Sequence, residues 1–235
     1  MFLVCGAALL FLPARGQDPL RRYPQNYKLI FDNAQVAVIR VHYGPHETVG
    51  VHDHSNLPTL FVYLNTSGAV RFHIEDIPPS VFVRQATRLG SFRYSPGRRE
   101  RHTVENLSDA SSDFLRIELK QFPLQGGKTF RHDAPTSLAA SGVTTEFSNS
   151  QLEVERVVCS AGATCTLAPA AEPSVLVALS QVTVNGSPEP AAEMHSGDVR
   201  WVQAEEALSV AGSSSGLAHV LRIRVKAPRG VGPGS

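Results

Sequence analysis

The sequence predicts an all-β protein built as two similar small barrels in tandem, and three observations carry that reading. Short runs rich in Val, Ile, Phe, Tyr and Thr recur at 35–41, 60–64, 69–74, 114–119, 152–158, 175–179 and 220–225, with almost no helical periodicity. Gly, Pro, Asn, Asp and Ser separate them, which is the spacing of a sandwich or barrel. The chain also repeats itself. Leu115-Arg116-Ile117-Glu118-Leu119-Lys120 returns as Leu221-Arg222-Ile223-Arg224-Val225-Lys226, an offset of 106. Gly90-Ser91-Phe92-Arg93-Tyr94 returns as Gly197-Asp198-Val199-Arg200-Trp201, an offset of 107, and Val38-Ile39-Arg40-Val41 as Val154-Glu155-Arg156-Val157, an offset of 116. Three matches in one order, with one length change near the segment 76–84, predict a duplicated domain. Finally, a cluster of histidines stands in the first copy alone.

Composition fits this class. Hydrophobic residues make up 42% of the 235 and charged residues 18%, which is globular, and each half is long enough to bury a core. The net charge of +1 gives no reason to expect nucleic acid, and no Lys/Arg block suits a membrane surface. The one dense basic stretch, Arg98-Arg99-Glu100-Arg101, reads as a solvated loop.

Residues 1–16 differ from the rest. Phe2 to Leu12 is an almost unbroken apolar run, too short to span a bilayer, and it ends in the small-x-small pattern Ala14-x-Gly16. A signal peptide over 1–16 is expected, with export to a periplasmic or extracellular space and no stable membrane span after cleavage. A buried N-terminal strand is the competing reading. Export leaves two cysteines, Cys159 and Cys165, flanking a turn-like stretch. A disulfide between them and a pair of free buried thiols are both open at this point. The expected layout is a first barrel over 17–121, a linker and the start of the second barrel over 122–149, the second barrel over 150–226 and a tail over 227–235.

The residues that carry chemistry are His52, His54 and His102. On a strand, positions i and i+2 face the same side, so His52 and His54 present two imidazoles to one barrel interior. A third imidazole from a neighbouring strand completes a facial set that leaves metal positions open. Histidine suits Fe, Zn, Mn, Ni or Cu alike, so the ion is a divalent metal of unspecified identity.

With these residues in place the first half resembles the cupin superfamily of jelly-roll barrels, and the whole chain a bicupin. The second cupin motif is nearly complete: Gly90, five residues, Pro96, then His102 and, after three more, Asn106, with one extra residue between Pro96 and His102. The first motif keeps His52-x-His54, but Thr59 stands near the place of the family's metal-binding glutamate. The resemblance covers 28–120 directly and 150–226 by way of the repeat. It implies a metal-binding first barrel and admits a homodimer.

Three neutral imidazoles leave a divalent charge uncompensated, so the site is expected to favour a small anionic molecule. Three-histidine sites occur in cupin dioxygenases, and the resemblance implies a metal-dependent oxygenase. A non-catalytic exported binder of metal or small ligand is the alternative. The pocket is expected to draw on Thr59, Tyr63, Arg71 and Tyr94, Arg71 as a carboxylate anchor if its face is the lumen. Glu47 is a surface turn residue, or less readily a substitute carboxylate. At the repeat offsets the ligand positions of the second copy hold Ala168, Ala170, Ser209 and, for Asn106, Ser213, so that barrel is expected to be metal-free. Its expected role is to cover the open side of the first barrel or to form a subunit interface.

Overall fold

The structure is a computed structural model that describes residues 18–75, 78–98, 100–122, 127–138, 141–186 and 191–228. The expected signal peptide and most of the expected tail lie outside them. A four-residue helix, α1 (Pro19–Arg22), is capped by Asp18, whose carboxylate accepts from the Leu20 N–H at 3.0 Å. The strands follow.

The first barrel holds β1 (Tyr27–Asp32), β2 (Val36–Tyr43), β3 (Thr48–His54), β4 (Thr59–Tyr63), β5 (Val70–Ile74), β6 (Ser80–Arg84), β7 (Phe92–Ser95), β8 (Glu100–Asn106) and β9 (Ser112–Leu119). The linker contributes β10 (Phe130–His132). The second barrel holds β11 (Gly142–Ser148), β12 (Leu152–Cys159), β13 (Thr164–Leu167), β14 (Ser174–Ala178), β15 (Val182–Gly186), β16 (Ala192–Met194), β17 (Val199–Val202), β18 (Leu208–Gly212) and β19 (Ala218–Val225).

Each barrel is a pair of antiparallel sheets. In the first, β1-β2-β9-β4-β7-β10 faces β3-β8-β5-β6; in the second, β11-β12-β19-β14-β17 faces β13-β18-β15-β16. The two strand orders are the same once β10, added to the edge of β7, is set aside. This is the jelly-roll arrangement twice over.

Strand periodicity explains how the barrels meet. Along β2, Ala37, Ile39, Val41 and Tyr43 turn inward, leaving Val36, Val38 and Arg40 on the opposite face. The same alternation puts Leu60 and Val62 of β4 and Leu115, Ile117 and Leu119 of β9 on that outer face. There they form one core with Leu152, Val154, Val175, Val177, Leu221, Ile223 and Val225 of the second barrel. The large sheets thus stack back to back. The second barrel covers the rear of the first and leaves the mouth open, contrary to the covering role expected from sequence: a large sheet that is apolar on both faces needs a partner for its outer one.

Two arginines cross this interface as a pseudo-symmetric pair. Arg156 donates to the Gly90 carbonyl at 2.7 Å, and its repeat counterpart Arg40 donates to the Gly197 carbonyl at 2.5 Å. Both glycines have positive φ, +78° and +88°, and a Cβ on either would lie 2.8 Å from the partner guanidinium. The repeated glycine is therefore required by backbone conformation and by close approach at once. Arg156 is the more deeply held of the two arginines. It grips both oxygens of Glu146 at 2.7 and 2.8 Å and contacts His219 Nε2 at 2.5 Å. The cysteines are joined: Cys159 and Cys165 form a disulfide that ties the end of β12 to β13.

Replacing Arg156 with Met is expected to destabilise the chain by about 3 kcal/mol in chemical denaturation, because the enclosed Glu146 carboxylate loses its bidentate partner and keeps only His132, at 3.4 Å. Arg40→Met, whose side chain is 39% exposed, is expected to cost only about 1 kcal/mol. Burial, reinforced by Arg156, lowers the His219 pKa from 6.5 to about 4. The unfolded chain then binds the extra proton between those values, so stability is full above pH 6.5 and is lost as pH falls toward 4. A His219→Gln variant, which keeps an acceptor for Arg156, is expected to lose less stability over that window in melts compared at pH 7 and pH 4.5.

Candidate metal centre

Three strand positions assemble the site. His52 and His54 lie two residues apart on β3, and His102 on β8 pairs directly with His52 across the ladder. The ring centroids are 4.7 to 5.1 Å apart, and the imidazole nitrogens lie within 4.8 Å of one another. His52 is fully buried and His102 nearly so.

Hydrogen bonding sets which nitrogen is offered. His52 Nδ1 lies 2.8 Å from the Gly50 carbonyl, an acceptor, so Nδ1 carries the proton and Nε2 keeps its lone pair. His52 Nε2 lies 3.1 Å from His54 Nε2 and 2.8 Å from the Tyr27 hydroxyl. His102 Nε2 is buried without a hydrogen-bond partner among the described residues. A buried, orphaned imidazole nitrogen beside two others is costly unless something else binds it.

All three rings are held neutral. Burial lowers the pKa of His52; burial, Arg116 and the other two imidazoles take His54 well below its usual value; burial and His52 bring His102 to about 3. Neutral imidazoles with inward lone pairs are the protonation state a metal requires. The donor set therefore fits a divalent transition ion held by His52, His54 and His102.

Beside His54 and His102 lies a tight chamber of about 30 Å³. Its walls are aromatic, from Phe61, Phe72, Phe82 and Phe114, and strongly charged. Arg116 anchors the charge: it is fully enclosed, donates to Glu118 at 2.7 Å and to Glu100 at 3.0 Å, and lies over the Phe61 ring. Burial alone would raise Glu100, but Arg116, Arg93 and His102 outweigh it and hold the carboxyl at about 2. Two further guanidiniums face the chamber. Arg84 bonds to Ser67 and Ser112 and stacks on Tyr63, while Arg93 stacks 4.2 Å from the Phe61 centroid. The Nε of each is buried without a partner among the described residues. These two arginines, with Tyr63, Ile74, Phe82, Arg98 and Arg131, also line a vestibule of about 380 Å³.

Of the pocket residues expected from sequence, Tyr63 lines the chamber. Arg71 does not: it points to the outer face of β5 and pairs with Glu105 at 2.7 Å. Tyr94 lies in the core between the barrels, bonded to Gln151. Thr59 shares the face of Phe61 and Tyr63, but its hydroxyl turns back to the Leu57 carbonyl at 2.9 Å and the residue is not in the lining. Glu47 is a turn residue that accepts from Gly44 N–H and Asn26. Asn106 closes the loop after β8 by donating to the carbonyls of Gly44 and Ala110.

Sequence reasoning missed Tyr27, Tyr43, Arg84, Arg93, Glu100 and Arg116. Within the stretch expected to be a solvated loop, Glu100 and Arg101 belong to a strand instead. Glu100 begins β8 and is buried, and Arg98, though exposed, borders the chamber. One signal was available: Glu100 lies two residues before His102, and Arg116 and Glu118 alternate with apolar residues, so all three share faces with the lumen.

Among the described residues the second barrel has no such set. Pairing of β13 with β18 matches His102 with Leu208 and Asn106 with Gly212, not with Ser209 and Ser213. The one-residue shift exchanges a polar for a buried apolar side chain, so the lumen closes on Leu208, Val182, Val184, Val210 and Met194.

No protein-family model and no curated protein matches the sequence. Solved structures do resemble it. Oxalate decarboxylase from Bacillus subtilis, described with Mn(II) centres, superposes with a TM-score of 0.55 at 14% identity, over 90% of this chain and 72% of that one. Salicylate 1,2-dioxygenase from Pseudoaminobacter salicylatoxidans gives 0.55 at 13%, over 83% and 73%. A cupin 2 conserved barrel domain protein from Leptotrichia buccalis gives 0.52 at 10%, over 85% and 88%. At such identities the likeness establishes architecture alone: the chain has the cupin fold, as two jelly-roll barrels in tandem, with a three-histidine group in the first.

Proposed function

We propose that this chain is an exported, metal-dependent cupin oxygenase acting on a small anionic substrate. The observation that carries it is the convergence of three neutral imidazoles, one with an orphaned Nε2, two of which line a cavity that arginines also line. A divalent ion held there supplies Lewis acidity and, for iron, manganese or copper, redox chemistry with oxygen. Two structural neighbours, a decarboxylase with Mn(II) and a dioxygenase, support that class. The apolar run 2–12 and the Cys159–Cys165 bridge support export, since disulfides persist in oxidising compartments.

The chain's own residues divide the remaining work. Arg84, Arg93 and Arg116 outnumber Glu100 and Glu118 by one positive charge, and that excess, presented by Arg84 and Arg93 toward the vestibule, attracts and orients an entering carboxylate. Phe61, Phe72, Phe82 and Phe114 give the chamber an apolar wall. Glu100, ionised and bound to Arg116, positions the arginine and is no proton donor near neutral pH. The narrowness of the chamber favours a second reading, an exported metal binder without turnover.

Mass spectrometry of the purified protein is expected to find about one equivalent of transition metal, lost in His54→Ala. With that metal, oxygen uptake is expected on one member of a panel of small carboxylic acids, and Arg93→Gln is expected to raise KM roughly tenfold or more. Metal without uptake on any acid selects the binder; no metal, even after incubation with Fe, Zn, Mn, Ni and Cu, overturns both readings.

A further inference from the structure

We propose that Tyr27 is a fourth protein ligand of the metal centre, supplying the anionic oxygen that the residue at Thr59 does not. The proposal rests on the three-histidine reading above and adds a residue from a strand that contributes no histidine. Tyr27 opens β1 and is 2% exposed. Its hydroxyl lies 2.8 Å from His52 Nε2 and 2.7 Å from the Tyr43 hydroxyl. Its ring lies 5.2 Å from the His52 ring and 5.5 Å from the His54 ring, centroid to centroid.

The argument turns on one lone pair. His52 Nδ1 is committed to Gly50, so the only free electron pair on this ring is at Nε2. In the metal-free protein that pair accepts the Tyr27 hydroxyl. It cannot accept a proton and bind a metal together. Any ion that takes His52 therefore dismisses the Tyr27 proton from between the two atoms and leaves the oxygen facing the ion. Among the described residues the hydroxyl has hydrogen bonds with Tyr43 and His52 alone. Without ligation, it would lose one of these partners in a buried site.

Spacing and charge agree. Bonds of about 2.0–2.1 Å put neighbouring donors roughly 2.9 Å apart in an octahedral site and about 3.4 Å apart in a tetrahedral one. The Tyr27 oxygen and His54 Nε2, at 2.8 and 3.1 Å from His52 Nε2, lie near the octahedral separation. Three neutral imidazoles leave a charge of about +2 on the ion, and one phenolate brings it to about +1. The exchange balances: the O–H bond of Tyr27 breaks, an oxygen–metal bond forms, and the proton leaves to solvent. Tyr43 then donates its hydroxyl to the ligand oxygen and fixes its direction.

Ferric iron bound to a phenolate absorbs visible light by intense ligand-to-metal charge transfer, which distinguishes this ligand set from imidazoles alone. The full chain, loaded with ferric iron, is expected to be coloured. Tyr27→Phe is expected to retain the ion, measured by mass spectrometry, and lose the band; Tyr43→Phe is expected to keep the band at a shifted wavelength. A wild-type protein that holds the ion through His54 yet shows no visible band overturns the proposal, as does a band that survives in Tyr27→Phe or vanishes only in Tyr43→Phe. If the wild type takes up no ion at all, the three-histidine site itself fails and Tyr27 falls with it.

Discussion

The structure depends on the back-to-back contact of the two large sheets. Each is apolar on both faces, one turned to its own lumen and one to the other barrel, and the outer faces merge into a single core. Equivalent residues meet there: Val36 and Leu152, Val38 and Val154, Leu115 and Leu221, Ile117 and Ile223 occupy matching positions. Full burial of such side chains is worth about 1.5–3 kcal/mol each, an upper range that takes no account of chain entropy. The first lumen keeps an apolar cluster of its own, with Ile39, Val41, Val49, Phe61, Val70, Val104 and Phe114. Stabilisation from outside the barrels lets it also hold three imidazoles, a buried ion cluster and three tyrosine hydroxyls, groups that contribute little to stability and cost a good deal to desolvate.

The second barrel shows what the fold looks like without that chemistry. Its lumen is filled by Val, Leu and Met, and Leu208 stands where His102 stands in the first. The charged skeleton is partly retained. Glu206 and Arg200, counterparts of Glu100 and Arg93, form an ion pair at 2.9 Å. Arg222, the counterpart of Arg116, donates to the carbonyl of Ala168, the residue that follows β13. The arginines and acids therefore serve both barrels, and the imidazoles are what sets the first apart. That contrast separates the histidines, which belong to the first barrel alone, from an ion cluster that both barrels share in part.

The fold was legible because each of its signals is local or periodic. Alternation located most of the strands, and the repeat located the second barrel. His52-x-His54 needed only strand parity, and His102 only a neighbouring strand. What failed needed knowledge of faces and register. Arg71 and Phe72 alternate on β5, and in a lumen lined by both aromatic and cationic groups neither residue type reveals which face is inside. The offset between copies changes from 107 at β7 to 106 at β8, and a single residue there moved the match from Leu208 to Ser209. Tyr27 and Arg84 lie far in sequence from the histidines, and only closure of the sheets brings them to the chamber.

The most direct test of the central claim, one chemically active barrel supported by one inert one, is anomalous diffraction from crystals grown with zinc and measured on both sides of its absorption edge. A single strong peak within bonding distance of His52 Nε2, His54 Nε2 and His102 Nε2, with none in the lumen closed by Leu208, is the predicted result. A map without a peak at the three histidines, or with one inside the second barrel, would contradict the account.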